Sequence, residues 1–139
     1  MEITTDYHWI RSVICHPRNW PRLAEDTTNQ EAFQPNPNSI YFKHEHYGFV
    51  EARHVLSRTC ELHICMLPGA TGVTEFGCLV LEYLSSKGIK SVFSSIPSDN
   101  RAAIAYAKRV GMTETGRIKK SMLRRGEMID LVIMGKTYE

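Results

Sequence analysis

The pattern of apolar and polar positions is clearest between Cys60 and Met112. Glu61-Leu62-His63-Ile64-Cys65-Met66-Leu67 is a short, largely apolar run bounded by turn residues, which predicts a strand. The small residues Pro68-Gly69-Ala70-Thr71-Gly72 follow as a loop. Phe76, Val80, Leu81 and Leu84 then recur at helical spacing, so a helix is expected from Val73 to Lys87, stopping at Gly88. A second strand is read from Ser91 to Ile96. Ser98-Asp99-Asn100 opens a second helix rich in alanine, which closes at Gly111-Met112. A helical crossover between two strands implies that they run parallel.

Weaker patterns flank this stretch. Glu2 to Thr5 predicts a short first strand, and Asp6 suits the N-cap of a helix carrying Ile10, Val13 and Ile14. His16-Pro17 ends that helix, and Pro17 is read as opening a second short one through Trp20 and Leu23. Glu25 to Asn38 is a polar surface loop. Ser39 to Lys43, a turn at His46-Tyr47-Gly48, and Phe49 to Val55 form an antiparallel meander with the Glu61–Leu67 strand. After the last helix, Thr113 to Ile118 and Met128 to Gly135 read as two strands joined through Arg124-Arg125-Gly126-Glu127. The sum is one α/β (α+β) domain over residues 1–139, with a mixed sheet of six or seven strands and helices on both faces.

Composition narrows the function classes. A formal net charge of +2 is too mild to point to nucleic acid. No apolar run approaches a membrane span, and the start of the chain lacks a basic-then-apolar signal. Cys60, Cys65 and Cys78 sit in apolar segments, and no CxxC pairs occur, which suits reduced thiols in a cytoplasm. His44 and His46 flank Glu45, but no further ligand is spaced to complete a tetrahedral site. A solvated turn and no metal are expected.

Asn100-Arg101-Ala102-Ala103-Ile104-Ala105-Tyr106-Ala107-Lys108-Arg109-Val110-Gly111-Met112 resembles the N-x-x-A-x-x-x-Y-x-x-x-G-F pattern of the GNAT superfamily of N-acetyltransferases, with Met in the last place. The strand ending at Leu67-Pro68 with its turn and long helix, and Asp130 before an apolar strand, are similar to that family as well. The resemblance covers Tyr41 to Lys136. His16-Pro17, Trp20, Asp26, His63 and Leu67-Pro68 resemble a subgroup encoded by tailed phages.

The resemblance implies acetyl-CoA as cosubstrate, lying in a splay between the Glu61–Leu67 and Ser91–Ile96 strands. Its pyrophosphate would sit on backbone N–H groups of Gly69, Ala70, Thr71, Gly72, Val73 and Thr74, at the positive end of the helix. The family's Gln or Arg of that loop is missing, since Gly69 occupies its place. Backbone N–H near Met66 would polarise the thioester, Asn100 would cap the second helix beside the cofactor, and Tyr106 would be general acid. Glu61 and His63 share a face of their strand by alternation, and either is a candidate base, with Glu61 ranked first.

Acceptor choice in this fold lies in Asp6 to Asp26 and Ile118 to Met128, where no diagnostic motif occurs. Protein and small-molecule amines both stay open as acceptors. Trp9 and Trp20 pack the N-terminal helices and are placed to wall the acceptor cleft. The basic run Arg117, Lys119, Lys120, Arg124 and Arg125 is expected to be a solvated hairpin. The bare loop leaves a second expectation, a non-catalytic module assembled with phage or host proteins. A homodimer through an exposed edge at Met128–Gly135 is a further expectation, in a bacterial host cytoplasm.

Overall fold

A computed structural model describes all residues, 1–139. Seven strands form one mixed sheet in the order β1-β2-β3-β4-β5-β7-β6. They are β1 (Ile3–Thr4), β2 (Ile40–His44), β3 (Gly48–Leu56), β4 (Thr59–Met66), β5 (Ser91–Pro97), β6 (Thr113–Arg124) and β7 (Glu127–Thr137). The helices are α1 (Tyr7–Ile14), α2 (Trp20–Leu23), α3 (Val73–Ser86) and α4 (Arg101–Arg109).

Period-two alternation divides the sheet into two buried faces. Phe42, Val50, Leu62, Val92 and Val132 pack under Phe76, Val80 and Leu84 of α3 and Ala107 of α4. On the other face Tyr41, Phe49 and Cys65 meet Ile10 and Val13 of α1. Asp6 caps α1 as its position predicts, its carboxylate accepting from the Trp9 N–H at 3.1 Å. Asn100 does the same for α4 through the Ala103 N–H. That helix ends at Gly111, whose φ of +98° lets the Met112 N–H turn back to the Ala107 carbonyl.

The one parallel pair is β4 with β5, and its ladder is short. It joins Thr59, Cys60 and Glu61 to Ser91, Val92 and Phe93. Beyond Glu61 the strands part, and the Ser94 hydroxyl reaches across to the Leu62 carbonyl at 2.7 Å. The expected splay is therefore present at the middle of the sheet.

Three readings of the sequence need correction. Pro17 does not open α2; residues 16–19 form a turn, and the short helix begins at Trp20 with Pro21 inside its first turn. Met128–Gly135 is not an exposed edge, because β7 lies between β5 and β6. The final hairpin is longer than read, with only Arg125 and Gly126 between its strands, at φ of +52° and +76°. Two successive positive φ values fit the right-handed twist of the flanking strands.

Candidate active site

The parting of β4 and β5 opens a cavity of about 100 Å³. His63, Ser95 and Ile96 line it from the strands, and Asn100, Ala103 and Tyr106 from α4. Tyr106 lines this cavity and packs α4 against α3 at once. Its hydroxyl donates to the Val73 carbonyl at 2.8 Å, in the first turn of α3. Gly77 makes that approach possible, since a Cβ there would stand 2.1 Å from the hydroxyl oxygen. Burial pushes the Tyr106 phenol up to about 12, so it keeps its proton at neutral pH.

Backbone groups of β4 alternate between neighbours. Leu67 N–H donates to the Tyr47 carbonyl on the β3 side at 2.6 Å. Met66, one residue earlier, therefore turns its N–H toward the splay. Its carbonyl accepts from the Asn19 amide at 3.0 Å, which ties the link between α1 and α2 to the end of β4.

The loop from Gly69 to Gly72 enters α3 with Gly72 at φ of +66° and no side-chain cap. Amide N–H groups of the first turn thus lack side-chain partners. Nothing lies within 4 Å of where a Gly69 side chain would project, so that flank is open. The loop is held from behind. His44 Nε2–H donates to the Thr71 carbonyl at 2.6 Å, and its ring stacks on Phe76 at 4.6 Å between centroids. Thr71 hydroxyl donates to the Tyr47 hydroxyl at 3.4 Å. The solvated turn expected at His44 is instead a brace for this loop. On the α4 side, Arg109 Nε lies 3.4 Å from the Thr74 hydroxyl, bringing a cation beside a loop whose own residues have none.

Glu61 and His63 face away from α3, toward α1 and α2, and touch each other. His63 Nε2 and Glu61 Oε2 are 2.6 Å apart. The His63 hydrogen bond, outweighing burial, holds the Glu61 carboxyl below the usual carboxylate range. An ionised carboxylate can only accept, so His63 Nε2 carries the proton and Nδ1 keeps the basic lone pair. A carboxyl lowered in the folded state contributes stability that is fully present above its unfolded value, near 4.5. That contribution is lost as pH falls through the lower folded value. The melting temperature of Glu61→Gln should therefore trail the parent above the unfolded value, near 4.5, and close on it as pH falls through the lower folded value. A gap that does not narrow as the pH is lowered through the acid range would contradict the pairing.

His63 also lines a second cleft, of about 300 Å³, on the α1–α2 side of the sheet. Trp20, Phe33, Tyr41, Glu51 and Arg53 surround it. Trp20 thus walls the cleft as its position suggests, whereas Trp9 packs edge-on against Phe49 and lies outside the lining. Glu51 and Arg53 are absent from the sequence-based candidates. The signal was the polar beat of Glu51 and Arg53 against Val50 and Ala52. Strand register completes it, setting Glu51 opposite His63 and Arg53 opposite Glu61.

Arg124 departs most from expectation. It is only 4% exposed and pairs with Asp99 at 2.6 Å, next to the α4 cap. It also donates to the Arg22 carbonyl at 2.9 Å, fixing the end of α2. Asp26 accepts from the Arg125 and Gly126 N–H groups, which lower its pKa and clamp the hairpin tip to the N-terminal segment.

No protein family profile matches the chain, and no curated protein matches its sequence. Solved structures do match its fold. The ribosomal-protein-alanine N-acetyltransferase of Brucella melitensis superposes with a TM-score of 0.61 at 19% identity, over 79% of this chain and 72% of its own. The spermidine/spermine N-acetyltransferase SpeG of Vibrio cholerae superposes with a TM-score of 0.59 at 18% identity, over 66% of this chain. The match spans 57% of the Vibrio chain's own length. With its single mixed sheet, parallel splayed pair and crossover helix, this chain has the fold of the GNAT N-acetyltransferases.

Proposed function

We propose that the chain is an acetyl-CoA-dependent N-acetyltransferase. The observation that carries this reading is the splay, a parallel ladder that stops at Glu61 and Phe93 and opens onto a cavity between two proton-bearing groups. Acetyl-CoA supplies a thioester carbonyl for an amine to attack. The residues present fit it: the N–H groups after Gly72 have no side-chain cap, Gly69 leaves open space in the loop before them, and Arg109 lends a nearby positive charge. Asn100 and Ala103 form the α4 wall.

Met66 N–H, turned into the splay, is the donor for the carbonyl oxygen as negative charge develops there. His63 Nδ1 takes the amine proton, and Glu61, bound to Nε2, holds the tautomer and stabilises the charged ring. His63 is ranked above Glu61 because it lines both the splay and the second cleft, whereas Glu61 stands behind it. Tyr106 is the acid for the departing thiolate, releasing its bond to Val73 as it turns.

Release of free CoA from acetyl-CoA across a panel of primary amines tests this. Turnover that falls in Tyr106→Phe is expected. Normal turnover after both Tyr106→Phe and Glu61→Ala would reject these roles. A second reading, a non-catalytic module that assembles with phage or host proteins, is favoured by the lack of a basic side chain at Gly69. Bound acetyl-CoA without turnover on any amine, together with a co-purifying virion or host protein, would support it.

A further inference from the structure

The second cleft has a feature that proton transfer does not use. Glu51 is 8% exposed, on the same face as His63 and directly opposite it. Every hydrogen bond it accepts goes to one oxygen. Oε2 takes the Ser39 hydroxyl at 2.6 Å, the Tyr41 hydroxyl at 3.5 Å and Arg53 Nη2 at 3.4 Å. Oε1 takes none and is not among the enclosed unpartnered atoms, so it is open to the cleft. That oxygen is free to accept a hydrogen bond from whatever occupies the cleft.

The surroundings specify the sign of that partner. Trp20 and Phe33 meet edge-to-face at 5.5 Å, and Tyr41 and Phe49 at 5.3 Å, and ring faces attract cations. Arg53 also lines the cleft and pairs with Glu51 at 3.4 Å, but this one guanidinium stands against two carboxylates, Glu51 and Glu61. Its Nη2 is turned to Glu51 and its Nε is enclosed without a partner. An anionic group there would lie beside both Glu51 and Glu61.

We propose that Glu51 and the aromatic wall form a subsite for a second positive charge on the acceptor, separate from the amine that reacts. This rests on the acetyl-transfer reading for the position of the reacting amine. Strands β3 and β4 lie about 4.8 Å apart. The second charge thus sits a short chain of three or four carbons from the amine at His63. The acceptor class is a compact diamine, or a larger molecule displaying one.

Three probes of equal length test it, 1,4-diaminobutane, butylamine and 4-aminobutyrate, which differ only in the charge at the far end. KM for the diamine should be about tenfold below that for butylamine, as expected for a charge-assisted hydrogen bond, with 4-aminobutyrate weakest. In Glu51→Gln the diamine and butylamine values should converge, while Ser39→Ala, which keeps the charge, should preserve their order. Calorimetry with 1,4-diaminobutane alone, without acetyl-CoA, separates this inference from the catalytic one. Glu51-dependent binding without turnover upholds the subsite and removes the enzyme. Turnover of all three probes with equal KM keeps the enzyme and overturns the subsite. If Glu51→Gln does not fold, the order of the three probes on the parent protein decides alone.

Discussion

Replacing His63 by alanine should lower kcat for acetyl transfer by about 10²- to 10⁴-fold, the range for loss of a positioned proton acceptor. The reason lies in the pairing at 2.6 Å. Glu61 fixes one ring nitrogen, which leaves the lone pair on the other to accept the amine proton. Glu61→Gln should cost less, because the ring remains but loses its orientation and its charge partner. The KM for acetyl-CoA should change little in both, since neither residue faces the loop after Met66. A pH–rate profile completes the test. The acidic limb should disappear in His63→Ala if His63 is the base, and persist if an unrelated group is.

Arg124→Ala should destabilise the fold by about 3 kcal/mol, the lower end of the cost of breaking a buried ion pair. Asp99 is partly exposed and can be rehydrated, which keeps the cost from being larger. For a chain of this size that is a fall in melting temperature of about 10 °C. The effect should extend beyond stability. Arg124 joins the loop before the α4 cap to the carbonyl of Arg22, so its loss frees both the start of α4 and the end of α2. Arg124→Lys keeps the charge but loses the fork, and should recover part of the stability. A loss below about 1 kcal/mol for the alanine variant would mean that Asp26 holds the hairpin alone.

The contrast between these two residues shows what the sequence made legible. His63 and Glu61 were visible because two polar side chains alternate within an apolar strand, and alternation puts them on one face. Asn100 and Gly111 were visible because a helix start and a helix stop have local signatures, and Tyr106 stood out only through the motif resemblance. Arg124 was hidden by its neighbours. In a basic run beside a turn it reads as solvated, yet Met122 and Arg124 are both buried while Leu123 between them is less so. Only the long hairpin, folded back over α2, explains why that face is covered.

Glu51 was hidden for a different reason. Its partners Ser39 and Tyr41 come from one other stretch and its cross-strand neighbour His63 from another, and only the register of β2, β3 and β4 brings them together. The brace from His44 to Thr71 is likewise a contact between the end of one strand and a loop 27 residues away. Local patterns predict elements well and predict which elements meet. They do not say which polar side chains a register will set face to face.

The central claim is that the splay and the uncapped α3 terminus hold acetyl-CoA. Thermal unfolding with and without acetyl-CoA, with free CoA alongside, tests it most directly. A ligand that binds only the folded chain adds about 2.7 kcal/mol at a hundred times its dissociation constant. The melting temperature should rise with both ligands, because pyrophosphate binding is common to them. No shift with either at millimolar concentration would contradict the account and leave a GNAT fold that serves some purpose other than acetyl transfer.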